Sequence, residues 1–280
     1  MIMRLLPALI LSFVCSVITV FGAPHAALAQ SELVSLERLD QVREWRAVGL
    51  IEIGRTGTCT GTLIDADLVL TAAHCLVRED GSKHDPETLV FRAAFQHGQQ
   101  AAVVRGAATA IPPTYDPTGD PVANGFAVDV GLIRLNRPVL STQVRPFRVV
   151  NLLSTDDMLA VVSYGQGRND APSLQSSCEM LGVQRGVVIM DCEATFGSSG
   201  APIFVIRDGG PRIASVLTGT AQNGDVHHSV GVPLTTLLPM LRRQINGLGG
   251  EIGAQSGASV TIVRPGDRSN TGARFVSVGE

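Results

Sequence analysis

From Ala47 onward the sequence is a succession of short apolar, often β-branched runs separated by Gly, Pro, Asp and Asn. The runs occupy residues 48–53, 61–64, 68–71, 88–91, 103–105, 128–135, 159–163, 187–190, 203–206 and 213–218. No long helical period lies between them, and strands at this spacing argue for an all-β barrel or sandwich architecture. One helix is predicted late in the chain, where Leu234, Leu237, Leu238, Leu241 and Ile245 share a face opposite Arg242 and Arg243.

The first residues have a different texture. Arg4 precedes an apolar run over residues 5–21, and the small-x-small triplet Ala27-Leu28-Ala29 follows. This is the pattern of a secretory signal peptide cleaved after Ala29, which discards Cys15 with the leader. The run is short for a membrane span, and no second apolar segment of spanning length follows. Residues 30–45 then form a polar arm with Leu33, Leu36 and Leu39 at helical spacing, expected as a turn or two of helix or an extended lead-in. No function is read there.

Four cysteines remain, Cys59, Cys75, Cys178 and Cys192. An even set in an exported chain implies an oxidising compartment and two disulfides. Of the three possible pairings, the sequential one, Cys59 with Cys75 and Cys178 with Cys192, closes two short loops and is expected. The whole chain carries 22 basic and 25 acidic residues, with Lys83 the only lysine. With no basic stripe, nucleic acid is not an expected partner. Residues 112–124 read as a surface loop and residues 136–151, with Pro138 and Pro146, as the connection between two halves. After Asn246 the chain becomes rich in Gly and Ser, so residues 247–280 are expected as a tail.

Three segments carry chemistry. Residues 195–202, T-F-G-S-S-G-A-P, set a serine among glycines in a turn. Small neighbours let a substrate backbone approach the hydroxyl, and Gly can adopt the positive φ that aims successive N–H groups at one point. Residues 71–75, T-A-A-H-C, put His74 at a strand end beside a bridging cysteine, a fixed place for a general base. Asp129 lies in the apolar stretch 127–135, where a carboxylate must be paired. A histidine N–H is a suitable partner that would fix the ring tautomer. The order His, Asp, Ser separates this chain from α/β-hydrolases, which run Ser, Asp, His, and from subtilisin-type enzymes, which run Asp, His, Ser. Ala201 also stands where a nucleophile elbow would want glycine.

With these motifs, T-A-A-H-C at 71–75, D-V-G-L-I-R-L at 129–135 and G-S-S-G-A-P at 197–202, the chain resembles the chymotrypsin/trypsin-like serine endopeptidases. Within them it is most similar to the bacterial secreted, glutamyl-endopeptidase-like branch. The resemblance covers about residues 45–246. It implies two antiparallel β-barrels with the active site in the cleft between them, followed by a C-terminal helix. The protease domain would span residues 46–246, split near 136–151. By the same resemblance Ser199 is the nucleophile, His74 the general base and then acid, and Asp129 its orienting partner. The backbone N–H groups of Gly197 and Ser199 would form the oxyanion hole. No cofactor or metal is implied, and the partner is a protein or peptide substrate.

The chain also departs from the family. Animal enzymes carry Asp just before the nucleophile, paired with an N-terminus freed by zymogen cleavage; here Ser198 stands there, and no Arg-Ile-Val-Gly-Gly type start precedes Leu50. Activation without such a salt bridge is expected. Glu193, six residues before Ser199, stands where trypsin-like enzymes hold a pocket acid, while Thr195, Thr218 and Gly219 are implied as pocket wall. Glutamyl-specific relatives use a histidine in the strand that here reads Ser215-Val216-Leu217-Thr218-Gly219, and His227 and His228 follow in a loop. Alternatives to a peptidase are an esterase-like serine hydrolase on the same barrels and a catalytically silent binding protein.

Overall fold

A computed structural model describes residues 31–255 except 56, 119–125, 151–152, 155–156, 208 and 224–225. The expected signal peptide and most of the expected tail lie outside these residues. Six antiparallel strands close a first barrel: β2 (Val48–Ile53), β3 (Gly57–Asp65), β4 (Leu68–Thr71), β5 (Leu89–Ala93), β6 (Ala102–Ala110) and β7 (Gly131–Leu135), in the order β2-β3-β4-β7-β6-β5. A second six form the other barrel: β8 (Met158–Ser163), β9 (Ser173–Gln184), β10 (Val187–Met190), β11 (Pro202–Arg207), β12 (Gly210–Asn223) and β13 (Val226–Pro233). Their order is β9-β10-β13-β12-β11-β8, and β8 pairs back onto β9. Closure leaves neither barrel an unpaired edge. The two-barrel all-β fold expected from the resemblance is the fold observed.

The strand sequences follow from which surfaces are covered. In β5, Leu89, Phe91 and Ala93 are buried while Val90 and Arg92 are half-exposed, the period-two pattern of a strand with one wet face. β4 is buried throughout. Val69 points into the first barrel with Ile51, Leu63 and Phe91, whereas Leu68 and Leu70 join Tyr164, Phe204 and Val216 in a core between the barrels. A third core, with Leu159, Val161, Ile203 and Val205, fills the second barrel. Strands covered on both faces read as continuous apolar runs, which is why β4 shows no alternation.

The N-terminal arm is part of this architecture. β1 (Val34–Ser35) pairs with β9, and α1 (Leu39–Val42) leads into a 3-10 turn over Arg43–Trp45. Leu33, Leu36 and Leu39 do not share one buried face: Leu36 is buried, but Leu39 is 63% exposed. The buried positions are Leu36, Val42 and Trp45, which enter the core between the barrels. The Trp45 ring lies 5.0 Å from Phe204 and 6.1 Å from Phe147, centroid to centroid. Phe147 belongs to the connection between the barrels, which is held by Phe147 N–H to Leu63 O at 3.0 Å and by Val150 N–H to Ile213 O at 2.8 Å.

Two sequence expectations shift. The strand expected over residues 128–135 begins only at Gly131, because Phe126–Val128 is a 3-10 turn and Asp129 sits between turn and strand. The late helix, α2, runs Leu237–Gln255, past the expected tail boundary at residue 247. Glycine lowers helix propensity without forbidding the helix. Leu234 precedes the helix, yet it lies in the same core as Leu238, Leu241 and Ile245. α2 packs back on β6 and β7 of the first barrel.

Candidate active site

β4 ends at Thr71, and the chain turns through a 3-10 turn, Ala73–Leu76, that carries His74. The next residue, Cys75, is bonded to Cys59 of β3 (S–S 1.96 Å), and Cys178 of β9 is bonded to Cys192 (S–S 1.98 Å). Both are the expected sequential pairings. Closing loops of this size stabilises a fold by about 3 kcal/mol each in the chain-entropy account, and the first bridge pins the histidine turn to the barrel wall.

Asp129 is buried. Its Oδ1 accepts the His74 backbone N–H at 2.9 Å, its Oδ2 lies 2.7 Å from His74 Nδ1, and the same Oδ2 accepts the Thr218 hydroxyl. Three donors thus converge on one carboxylate, which meets the cost of burying it. With Nδ1 as the donor, the His74 lone pair is left on Nε2. Burial of the ring lowers the His74 pKa, but the charge and hydrogen bond of Asp129 outweigh it, and the net shift is upward from 6.5.

Ser199 sits between Gly197 (φ 91°) and Gly200 (φ 82°). The turn is stitched to the first barrel through Thr60 of β3, whose N–H donates to Ser199 O at 2.8 Å and whose Oγ1 donates to Gly197 O at 2.9 Å. Gly200 packs so tightly on that barrel that a Cβ there would lie 2.2 Å from Thr71 Oγ1 and 2.3 Å from Thr60 O. On the other side, Gly200 N–H reaches Leu217 O at 2.8 Å. Ser199, His74 and Asp129 line one cavity of about 720 Å³.

Thr195, Thr218 and Gly219 also line that cavity. Thr218 is more than wall, because its hydroxyl binds Asp129. The ring of Phe126 covers Gly219, where a Cβ would meet its Cε1 at 2.9 Å. Glu193 is exposed and is not among the residues that line the cavity. Its backbone N–H is held by Gln175 Oε1 at 2.7 Å, and the neighbouring Cys192 is tied to β9, so the carboxylate remains in water. His228 lies on β13 opposite Ala221 and does not line the cavity; the side chain of His227 falls outside the described set.

Sequence reasoning missed several lining residues, among them Tyr115, Phe126, Phe196 and Gln166. Phe196 had a signal, an aromatic next to the glycine of the serine turn, and it is 84% exposed at the cleft rim. Burial, reinforced by the charges of Asp129 and Asp116, raises the Tyr115 pKa and keeps its hydroxyl protonated. Among the described residues, the groups close enough to share a metal ion are Cys59–His74–Cys75 and Cys178–Asp191–Cys192, and each contains a disulfide instead of free thiolates. No described helix is long and apolar enough to cross a membrane.

A protein-family model described as Trypsin matches residues 38–208. No curated protein sequence matches the chain. Among solved structures the fold is similar to that of a Glu endopeptidase determined in complex with MPD, with a TM-score of 0.63 and 14% identity over 78% of this chain and 97% of that one. The family match spans more than half of the chain and agrees with the paired barrels and the clustered His74, Asp129 and Ser199. The chain belongs to the trypsin family and is a serine endopeptidase.

Proposed function

We propose that this is an exported endopeptidase that cleaves peptide bonds through His74, Asp129 and Ser199 by way of an acyl-enzyme. The observation that carries the reading is the 2.7 Å contact of His74 Nδ1 with buried Asp129, in a cavity that Ser199 also lines. Asp129 holds the histidine with its basic Nε2 free and stabilises the imidazolium that forms. His74 takes the Ser199 proton as Oγ attacks the scissile carbonyl. The N–H groups of Gly197 and Ser199 receive the developing oxyanion. Collapse breaks the C–N bond, the leaving amine takes the proton from His74, and water activated by His74 then releases the acid and restores the serine.

The cavity wall favours a small or apolar side chain before the cut. Leu217 occupies the strand where glutamyl-specific relatives carry histidine, Ala194 and Phe196 are apolar, and Glu193 is not among the lining residues. Export is supported by the leader over residues 1–29 and by two disulfides, which persist in oxidising compartments.

The test is a fluorophosphonate probe together with digestion of a peptide library by the mature, oxidised protein. Labelling is expected on the parent protein and lost in Ser199→Ala, with cuts after small or apolar residues. Absence of labelling in the folded parent protein overturns the catalytic reading. Cuts confined to Glu, Arg or Lys overturn the specificity.

A further inference from the structure

Beneath the serine turn lies a cation that the reaction scheme does not use. Arg168 belongs to the connection between β8 and β9, and its side chain folds back under that connection toward residues 195–199. Nη1 donates to Ser163 O at 2.8 Å, and Nη2 donates to Ser198 Oγ at 2.9 Å and to Ser163 Oγ at 3.1 Å. Thr195 Oγ1 lies 3.4 Å from the same Nη2. Ser198 is fully buried, and its Oγ also lies 3.2 Å from Tyr164 O and 3.3 Å from the Thr195 N–H. The space for the guanidinium exists because residue 165 is glycine: a Cβ there would sit 2.6 Å from Arg168 Cζ and 2.6 Å from Thr195 Oγ1.

The two segments are locked at the backbone as well. Gln166 N–H donates to Phe196 O at 2.6 Å across them, and within the serine turn Ser198 N–H donates to Thr195 O at 2.9 Å. Among the described residues no carboxylate forms an ion pair with Arg168. Burial lowers its pKa, and the more distant Glu193 charge opposes that shift. The protein hydrogen bonds of the guanidinium thus go to neutral oxygens, two on Ser163 of β8 and two, Ser198 Oγ and Thr195 Oγ1, in the turn that holds Gly197 and Ser199. Charge-assisted bonds of this kind are the stronger class, and the planar fork suits several fixed acceptors at once.

We propose that Arg168 is a positioning residue for the oxyanion turn, holding residues 195–199 through Ser198 so that the Gly197 and Ser199 N–H groups converge in the chain as first folded. The inference rests on the endopeptidase reading above. It assigns to an internal arginine and a neutral serine the ordering of this turn, so that no newly released α-amino group is required.

The experiment compares the parent protein with Arg168→Ala and Arg168→Lys, using a peptide substrate, added guanidinium ion and amide hydrogen exchange over residues 195–201. Arg168→Ala is expected to lower kcat by about 100-fold, the scale of a small misplacement of catalytic groups, with KM changed by less than about threefold. Millimolar guanidinium should restore part of kcat in Arg168→Ala and do nothing to the parent. Exchange should quicken across residues 195–201 and not in β11 and β12. Arg168→Lys, which keeps the charge but not the fork, should fall between the two. The proposal is overturned if folded Arg168→Ala keeps parental kcat and parental exchange in the turn, or if guanidinium fails to rescue a folded, impaired variant. Should Arg168→Ala not fold, parental kcat and exchange in Arg168→Lys overturn it in the same way. An inactive parent protein would instead count against the endopeptidase reading, and the exchange comparison would still decide the role of Arg168 in the turn.

Discussion

Thr60 and Gly197 join the two barrels at the serine turn: Thr60 Oγ1 donates to Gly197 O at 2.9 Å, while the same oxygen accepts Tyr164 N–H at 3.0 Å. Thr60→Val keeps the shape and removes both bonds, leaving a buried N–H and a carbonyl without partners. Each such group costs about 1–3 kcal/mol. Thr60→Val should therefore lower unfolding free energy by about 1–3 kcal/mol for each of the two groups in urea titrations and reduce kcat more than KM. Thr60→Ser, which retains the hydroxyl, should remain close to the parent in both.

Among the described glycines, Gly200→Ala is expected to be the most damaging replacement by alanine. The new Cβ would overlap Thr71 Oγ1 and Thr60 O, and the residue has φ 82°. Overpacking of about 1–3 kcal/mol adds to a backbone cost of similar size. Calorimetry should show a large drop in Tm or no cooperative transition, and a Tm within a degree or two of the parent would contradict the tight approach of the turn to β3 and β4.

Activity and stability should respond to pH in opposite senses at His74. Its pKa is raised above 6.5, so kcat/KM should climb with pH along a limb whose midpoint lies above 6.5, as the base loses its proton. The same shift means that the folded state binds the proton more tightly than the unfolded chain. The stabilisation from the His74–Asp129 pair is thus complete below the unfolded pKa and lost as pH rises through the folded one. Asp129→Asn should move the kcat/KM limb to lower pH, because only burial would then act on the ring. In the protease precedent, that substitution costs about 10⁴-fold in kcat.

Trimming the N-terminal arm should unfold the protein instead of activating it. Trp45 fills the core between the barrels against Phe147 and Phe204. Trp45→Ala should cost about 3–5 kcal/mol, the usual range for a buried aromatic, measurable by chemical denaturation.

Glu193→Ala should leave the preference for the residue before the cut unchanged, because that carboxylate is exposed and outside the cavity. Library profiling of the variant against the parent measures it, and a gain or loss of cleavage after Arg or Lys would return Glu193 to the pocket.

What the sequence by itself determined is local. Alternation and short apolar runs specified strands, the amphipathic face specified α2, and close cysteine spacing specified both disulfides. The three motifs, in the order His, Asp, Ser, carried the resemblance that implied two barrels and singled out His74, Asp129 and Ser199, which line one cavity. The tertiary structure decided what depends on contacts between distant segments. Thr60 meets Gly197 across 137 residues and Thr218 meets Asp129 across 89, and no periodicity marks either threonine. Asp129 left the expected strand because donors from His74 and Thr218 hold it in a turn. Glu193 lies outside the cavity lining, its backbone N–H held by Gln175 of β9 and the neighbouring Cys192 bonded to Cys178. Arg168 became a half-buried cation because Gly165, three residues earlier, left room for it beneath the serine turn. Each of these outcomes comes from hydrogen bonding and packing that exist only once the barrels have closed and met.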